Sequence, residues 1–221
     1  MIVVIDGPAG SGKSSTAKAV ADRLGIQYLD SGALYRAVTL VYIKSNLNRT
    51  TFFDQLKSIK ISFRYIDSFF HVYINSEEVS QEIRTMNVSD KVSEVASMPE
   101  VRAYVNSLMN DAVKHDEYIA DGRDLGTAVF PNAAMKFFMI AELETRAKRR
   151  LRELKSQGSN VTLEQILLNI SERDQKDSSR KADPLRKADD AIEIDTSSFI
   201  FEEQVGFISE KIRPLVKSKT K

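Results

Sequence analysis

A chain of 221 residues with 32 basic and 31 acidic side chains and a net charge of +1 is long enough to bury about 70% of its unfolded surface. Its charge balance excludes a strongly basic nucleic-acid binder and an acidic solvating tail. Cysteine is absent and only His71 and His115 are present, which excludes disulfides, Cys-ligated zinc, iron–sulfur clusters, a thiol nucleophile, a multi-histidine metal site and a Ser-His-Asp hydrolase.

The opening residues Met1 to Asp6 lack the basic region and apolar length of a secretory signal, and no stretch approaches the ~20 apolar residues of a membrane span. The expectation is a cytoplasmic monomer with neither membrane nor nucleic acid as a partner. Ile2 to Ile5 form a continuous apolar run ending at Asp6-Gly7-Pro8, the pattern of a strand buried on both faces of a parallel sheet. After a glycine-rich turn, Ala17, Val20, Ala21 and Leu24 fall at helical spacing from Lys13 onward, with Gly25 at the C-cap. Ile26 to Leu29 read as a second strand and Gly32 to about Ile43 as a second helix.

The βα rhythm then breaks. Ile59, Ile61, Phe63 and Tyr65 alternate with polar residues, Asp67-Ser68 makes a turn, and Phe70, Val72 and Ile74 alternate again, predicting an antiparallel hairpin. Helices follow at about Asn87 to Ser97 and, after Pro99, about Glu100 to Lys114. The alternation resumes with Tyr118 to Ala120, the strand Met135 to Ile140, helices from Glu142 and Leu163, the strand Ala191 to Ile194 and a helix near Glu202 to Val216, with a frayed basic end at Lys217 to Lys221. The pattern predicts an α/β, three-layer fold with about five parallel strands. One unit spans residues 1–221, with a core of 1–47 and 116–221 and an insert of about 48–115.

Gly7-Pro8-Ala9-Gly10-Ser11-Gly12-Lys13-Ser14 fits Gly-x4-Gly-Lys-Ser/Thr and lies between a buried strand and a helix start, as a P-loop requires. Its backbone N–H groups would converge on the β-phosphate, Lys13 would bridge the β- and γ-phosphates, and the Ser14 hydroxyl would ligate Mg²⁺. An ordinary glycine-rich turn is the alternative, and the register of glycines, lysine and hydroxyl argues against it. No Asn-Lys-x-Asp guanine reader is present. Arg36, Arg84, Arg102, Arg123, Arg173 and Arg180 instead lie beside turns or carboxylates, a supply of guanidinium suited to two phosphorylated substrates, although each singly also reads as a solvated surface charge.

Four strings resemble the bacterial cytidylate kinase family: residues 6–14, Leu29-Asp30-Ser31-Gly32-Ala33-Leu34-Tyr35-Arg36, Ala120-Asp121-Gly122-Arg123-Asp124-Leu125-Gly126-Thr127 with Val129-Phe130-Pro131, and Glu172-Arg173-Asp174-Gln175-Lys176-Asp177-Ser178-Ser179-Arg180. Shorter matches include residues 82–85, 99–102, 184–185 and 190–196. The first string is generic to phosphate-loop enzymes and the other three are specific. The resemblance implies a nucleoside monophosphate kinase fold with an enlarged monophosphate-binding insert and a short helical lid of about 155–187, phosphorylating CMP and dCMP with Mg²⁺ and ATP.

On matching positions the resemblance places ATP on Gly7 to Ser15, with Arg146 and Arg150 stacking on or clamping it. Ser31, Arg102 and Asp124 would face cytosine, whose N4 amino group donates to a carboxylate while N3 and O2 accept from arginine or hydroxyl. Arg36, Arg123, Arg173 and Arg180 would surround the phosphates, with Lys13, Arg123, Arg173 and Arg180 acting in catalysis. Asp177, Arg173 and Ser93 would hold the pentose. Ser14 with Asp30 or Asp121 would hold Mg²⁺.

Ordinary roles remain open beside these. Asp124 would cap a helix or pair with Arg123, Asp30 and Asp121 would be strand-end caps, Arg146 and Arg150 a charged helix face, and Arg173, Asp177 and Arg180, at i, i+4, i+7, would pair with each other. Lys176 and Ser178 depart from the family, which carries more arginine there. The rival readings are another small phosphate-loop kinase, acting on UMP, AMP or a non-nucleotide alcohol, and a nucleotide switch with no acceptor.

Overall fold

The computed structural model describes residues 1–156, 158 and 160–217. In chain order it forms β1 (Ile2–Asp6), α1 (Lys13–Leu24), β2 (Gln27–Asp30), α2 (Ser31–Lys44), α3 (Arg49–Leu56), β3 (Ile61–Ile66), β4 (Phe69–Ile74) and β5 (Glu77–Glu78). There follow α4 (Met86–Val95), α5 (Pro99–Ala112), β6 (Tyr118–Gly122), β7 (Met135–Ile140), α6 (Leu143–Ser156), α7 (Leu163–Ser179), β8 (Ile192–Asp195) and α8 (Phe201–Ile212).

The main sheet has the order β2-β6-β1-β7-β8 with every neighbouring pair parallel. Val3, Val4 and Ile5 on the central strand have no exposed surface, so the apolar run is continuous because both faces are covered. Helix α1 packs on α8 and β6, α2 packs on α4, and α6 packs on α7. Ala9 of the phosphate loop joins Ala147, Leu154, Ile166 and Ile170 in a second, smaller apolar cluster that ties α6 and α7 to the loop.

The hairpin forms with Asp67 and Ser68 both at positive φ, the backbone of a two-residue type I′ turn, and β3–β4–β5 make a separate antiparallel sheet. Two elements of this region go beyond the sequence expectation. Helix α3 is capped by Asn48, whose Oδ1 accepts from the Thr51 amide at 3.0 Å, and it buries Phe52 and Leu56. The two-residue β5 follows a second turn, Asn75-Ser76, at positive φ.

Three boundaries are corrected. Helix α7 stops at Ser179, so Arg180 is extended and only Arg173 and Asp177 keep helical spacing. The closing helix ends at Ile212 and continues as a 3₁₀ turn over Arg213–Leu215, where Pro214 carries no amide donor. Lys217 is tied down, its amide donating to Glu117 Oε1 at 2.9 Å, and the rest of the expected frayed end, residues 218–221, lies outside the described residues.

Candidate active site

The phosphate loop is shaped from several sides. A Cβ on Gly7 (φ +148°) would lie 2.0 Å from the Met139 carbonyl oxygen, so only glycine lets the chain leave β1 against β7. Thr196 Oγ1 donates to the Ser11 carbonyl at 3.1 Å, and Ser11 Oγ donates to the Pro8 carbonyl at 3.1 Å. Asp174 Oδ1 accepts from the Ala9 amide at 3.0 Å while Arg146 Nη1 donates to the Ala9 carbonyl at 2.9 Å and to Asp174 Oδ2 at 2.5 Å. Helices α6 and α7 therefore brace both polar groups of Ala9.

The loop opens onto a cavity of about 1160 Å³, above the ~300–1,000 Å³ of an ordinary ligand pocket and roomy enough for two nucleotides. Ala9, Gly10, Gly12, Lys13, Ser14 and Ser15 line it, as do Asp30, Ser31, Arg36, Ser93, Asp121, Arg123, Asp124, Arg150, Arg173, Asp177 and Arg180. The structure thus brings most of the candidate residues to one space. Gly7, Pro8 and Ser11 lie behind it as loop scaffold, and Arg102 lies behind Asp124. Arg146 does not line the cavity either. Its Nε donates to the Ala141 carbonyl at 2.9 Å and its other bonds hold Ala9 and Asp174, so the expected stacking on or clamping of ATP gives way to bracing the loop.

Lys13 is 4% exposed and its Nζ donates to the Pro8 carbonyl at 2.6 Å and Ser11 Oγ at 3.2 Å. Burial and then Arg123 hold its ammonium well below the usual lysine range, against the attraction of Asp121 and Asp6. Ser14 Oγ donates to Asp121 Oδ2 at 2.7 Å and the Tyr28 hydroxyl donates to Asp121 Oδ1 at 2.6 Å. Burial, with Asp30 nearby, pushes the Asp121 carboxyl up. Asp30 does have the ordinary role: its Oδ1 caps α2 by accepting from the Ala33 amide at 2.8 Å.

Arginines crowd the opposite side. Burial and then the charges of Arg123 and Arg36 push Arg173 down to about 10, and its buried Nε has no hydrogen-bond partner among the described residues. Burial pushes Arg36 down too, with Arg84, Arg123 and Arg150 adding to it. Arg123 Nε reaches Asp177 Oδ2 at 3.0 Å. Like charges held this close in a buried site call for an anion.

The Asp124 side chain turns to arginines other than Arg123. It makes no side-chain cap to the π-helical turn Leu125–Val129 that follows it. Its Oδ2 pairs with Arg102 Nη2 and its Oδ1 with Arg180 Nη2, the latter at 2.5 Å. Asp183 completes the set, its Oδ2 accepting from Arg102 Nε at 2.7 Å and its carbonyl from Arg180 Nε at 2.6 Å. Arg173, Asp177 and Arg180 do not pair with one another as spacing alone allowed. Ser31 Oγ donates to the Asp121 carbonyl at 2.6 Å.

Several contributors escaped the sequence reading. Asp183 and Tyr28 carry no motif, and their roles come from long-range contacts. Asp174 sat within the fourth string but only its neighbours were singled out. Arg149 lies beside Gly12 and lines the cavity with Phe199, Phe201 and Gln204, where a charged helix face was the available signal.

Comparisons with known proteins identify the family. Cytidylate kinase of Fusobacterium nucleatum subsp. nucleatum is 43% identical over 218 residues, covering 96% of this chain and 97% of that one. Cytidylate kinase of Chloroherpeton thalassium is 45% identical over 216 residues, covering 95% and 92%. Among solved structures, an uncharacterized protein from Eubacterium ventriosum superposes with a TM-score of 0.55 at 12% identity, covering 96% of this chain and 98% of that one, which shows a shared fold. The family model for cytidylate kinase matches residues 3–214, and with these relatives it shows that the chain belongs to the cytidylate kinase family.

Proposed function

We propose that the cavity transfers the γ-phosphoryl group of ATP to the α-phosphate of CMP with Asp124 reading the cytosine. The observation that supports this reading is the Asp124 carboxylate, paired with Arg102 and Arg180 inside the phosphate-loop cavity instead of capping its own turn. Cytosine N4 would donate to Asp124, the Arg180 guanidinium, which lines the cavity, would donate toward N3 and O2, and Arg102, expected to face the base, would instead hold the Asp124 carboxylate from behind. Ser31 takes a different role from the donor expected of it. Its proton already goes to the Asp121 carbonyl, so its oxygen would be left to accept from N4.

Arg36, Arg123, Arg150 and Arg173 would take the α-phosphate of CMP and the phosphoryl group in flight, with Arg150 in place of the expected Arg180, whose Nε and Nη2 are held by the Asp183 carbonyl and Asp124, and that anion would relieve their mutual repulsion and reach the unpartnered Arg173 Nε. An α-phosphate oxygen is already anionic, so no residue has to remove a proton. Alignment and compensation of the spreading negative charge are the work left for the protein. Lys13 would exchange the Pro8 carbonyl for the β- and γ-phosphates. Asp177, with Arg173 and Ser93, would receive the pentose hydroxyls, and because Asp177 keeps Arg123 as a partner it stays satisfied when the 2′-hydroxyl is missing, which favours acceptance of dCMP.

Mg²⁺ bound with the triphosphate would supply charge across the β- and γ-phosphates. Ser14 Oγ and Asp121 offer the hard oxygens it takes, and the raised carboxyl of Asp121 would be relieved by a cation. Among the described residues no helix is long and apolar enough to cross a membrane.

The test is Asp124→Asn. The amide removes the charge and can turn its NH₂ toward the O4 of uracil, so the ratio of kcat/KM for CMP over UMP should fall ~10-fold or more, mostly by loss of CMP activity. An unchanged ratio in an active enzyme would remove Asp124 from base recognition.

A further inference from the structure

Asp6 ends the central strand β1, is 4% exposed, does not line the cavity, and has no part in the reaction described above. Its two carboxylate oxygens reach across to the chain that leaves β6: Oδ1 accepts from the Leu125 amide at 3.0 Å and Oδ2 from the Gly126 amide at 2.7 Å. These amides open the Leu125–Val129 turn, and the first amides of a helical turn have no partner within it. The residue before such a turn ordinarily supplies the missing acceptor from its own side chain, and aspartate is among the best at doing so. Here that residue is Asp124, and it does not. Its backbone carbonyl accepts from the Ala128 amide at 2.9 Å, while its side chain is turned away to Arg102 and Arg180.

We propose that Asp6 is a positioning residue for cytosine recognition: by capping the turn after Asp124 from the neighbouring strand, it frees the Asp124 carboxylate to face the base. This rests on the reading that Asp124 recognises cytosine. The register of the sheet makes the arrangement possible, because Asp6 lies beside Gly122, two residues ahead of Asp124. Gly126 allows the close approach. A Cβ there would lie 3.3 Å from Asp6 Oδ2, 3.1 Å from Lys136 Cδ and 3.3 Å from Val4 Cγ2. Lys136 cannot easily give way, since its Nζ is held by the Pro131 carbonyl at 2.6 Å and by Asp190 at 2.9 Å. When Asp6 cannot accept both amides, Asp124 holds the position from which a side chain ordinarily caps such a turn, and a carboxylate that caps its own turn no longer faces the base.

The experiment measures kcat and KM for CMP, UMP and ATP in the full-length enzyme and in Asp6→Asn, Gly126→Ala and Asp124→Asn. Asp6→Asn keeps the shape but leaves one acceptor for two amides, and Gly126→Ala pushes the turn off Asp6 from the other side. Both should lower the CMP over UMP ratio of kcat/KM ~5-fold or more, chiefly through KM for CMP, with KM for ATP within about twofold of the parent. A merely structural role would weaken both acceptors together and leave the ratio alone, and that result in either folded variant would overturn the proposal. Should Asp6→Asn fail to fold, Gly126→Ala decides. If Asp124→Asn lowers the ratio while the other two leave it unchanged, the positioning role of Asp6 falls and base reading by Asp124 stands; if Asp124→Asn leaves the ratio unchanged, both fall together.

Discussion

Lys13 is held against the Pro8 carbonyl by a 2.6 Å bond in a site where burial and Arg123 disfavour its charge. On the proposed reading the triphosphate would offer that ammonium a better partner, and its benefit would grow as charge develops on the leaving β-phosphate. Lys13→Ala should therefore lower kcat ~10²-fold or more with the fold intact, as measured by steady-state kinetics beside circular dichroism. Near-normal turnover would contradict the assignment of the loop. Asp6 makes a prediction of a different kind, in stability. Burial holds its carboxyl up at about 6, against the opposing pull of the Gly126 and Leu125 amides. A carboxyl raised above its unfolded value makes the native state bind more protons, so its contribution falls as pH rises from about 4 to 6 and is fully lost above that. Asn at this position has no such dependence. Urea melts of parent and Asp6→Asn should thus diverge in favour of the variant between pH 4 and 7, by about 1–3 kcal/mol, and parallel pH profiles would contradict the raised carboxyl.

At the scale of elements, the small sheet and the helices beside it differ in their attachments. The hairpin is fastened to the core: the Tyr65 hydroxyl donates to Asp22 Oδ1 at 2.5 Å, Lys18 sits over the Phe69 ring at 4.9 Å, and Tyr28 of β2 packs edge-on against Tyr65 and Phe70. Helix α4 instead presents Ser89, Asp90 and Ser93 to the cavity, and α7 presents Arg173 and Asp177. Closure over substrates, which keeps water from the phosphoryl group, should then involve α4 and the segment from α7 to Asp183 and leave β3–β4 in place. Hydrogen exchange with CMP and a non-hydrolysable ATP analogue should slow in the first two regions and remain unchanged in residues 61–74. Equal slowing throughout residues 48–115 would show the insert moving as one body. The hairpin itself was legible from strict alternation and the Asp67-Ser68 turn. Helix α3 was not, because eight residues beginning Arg49-Thr50-Thr51 carry weak helix propensity and form around an Asn48 cap and the burial of Phe52.

For the whole molecule, the parallel sheet and the phosphate loop were readable because their signals are local: an apolar run, glycines in register, a helix repeat. The site was readable only as a set of residue types. Spacing put Arg173, Asp177 and Arg180 on one face, yet Asp177 pairs with Arg123 and Arg180 with Asp124, since the helix stops one residue before Arg180. Arg146 read as a nucleotide clamp until Ala9 and Asp174 proved to be its partners. Such pairings join residues as far apart in sequence as Ala9 and Asp174, 165 positions, or Ser11 and Thr196, 185 positions, and no local pattern encodes them. The central claim is that one cavity aligns ATP with a cytidine monophosphate, and ADP release measured with ATP and CMP, dCMP, UMP, AMP or no acceptor tests it most directly. The account predicts rapid release with CMP and dCMP, slower release with UMP and AMP, and little with water alone. Release that is independent of the acceptor, or fastest with UMP or AMP, would contradict it.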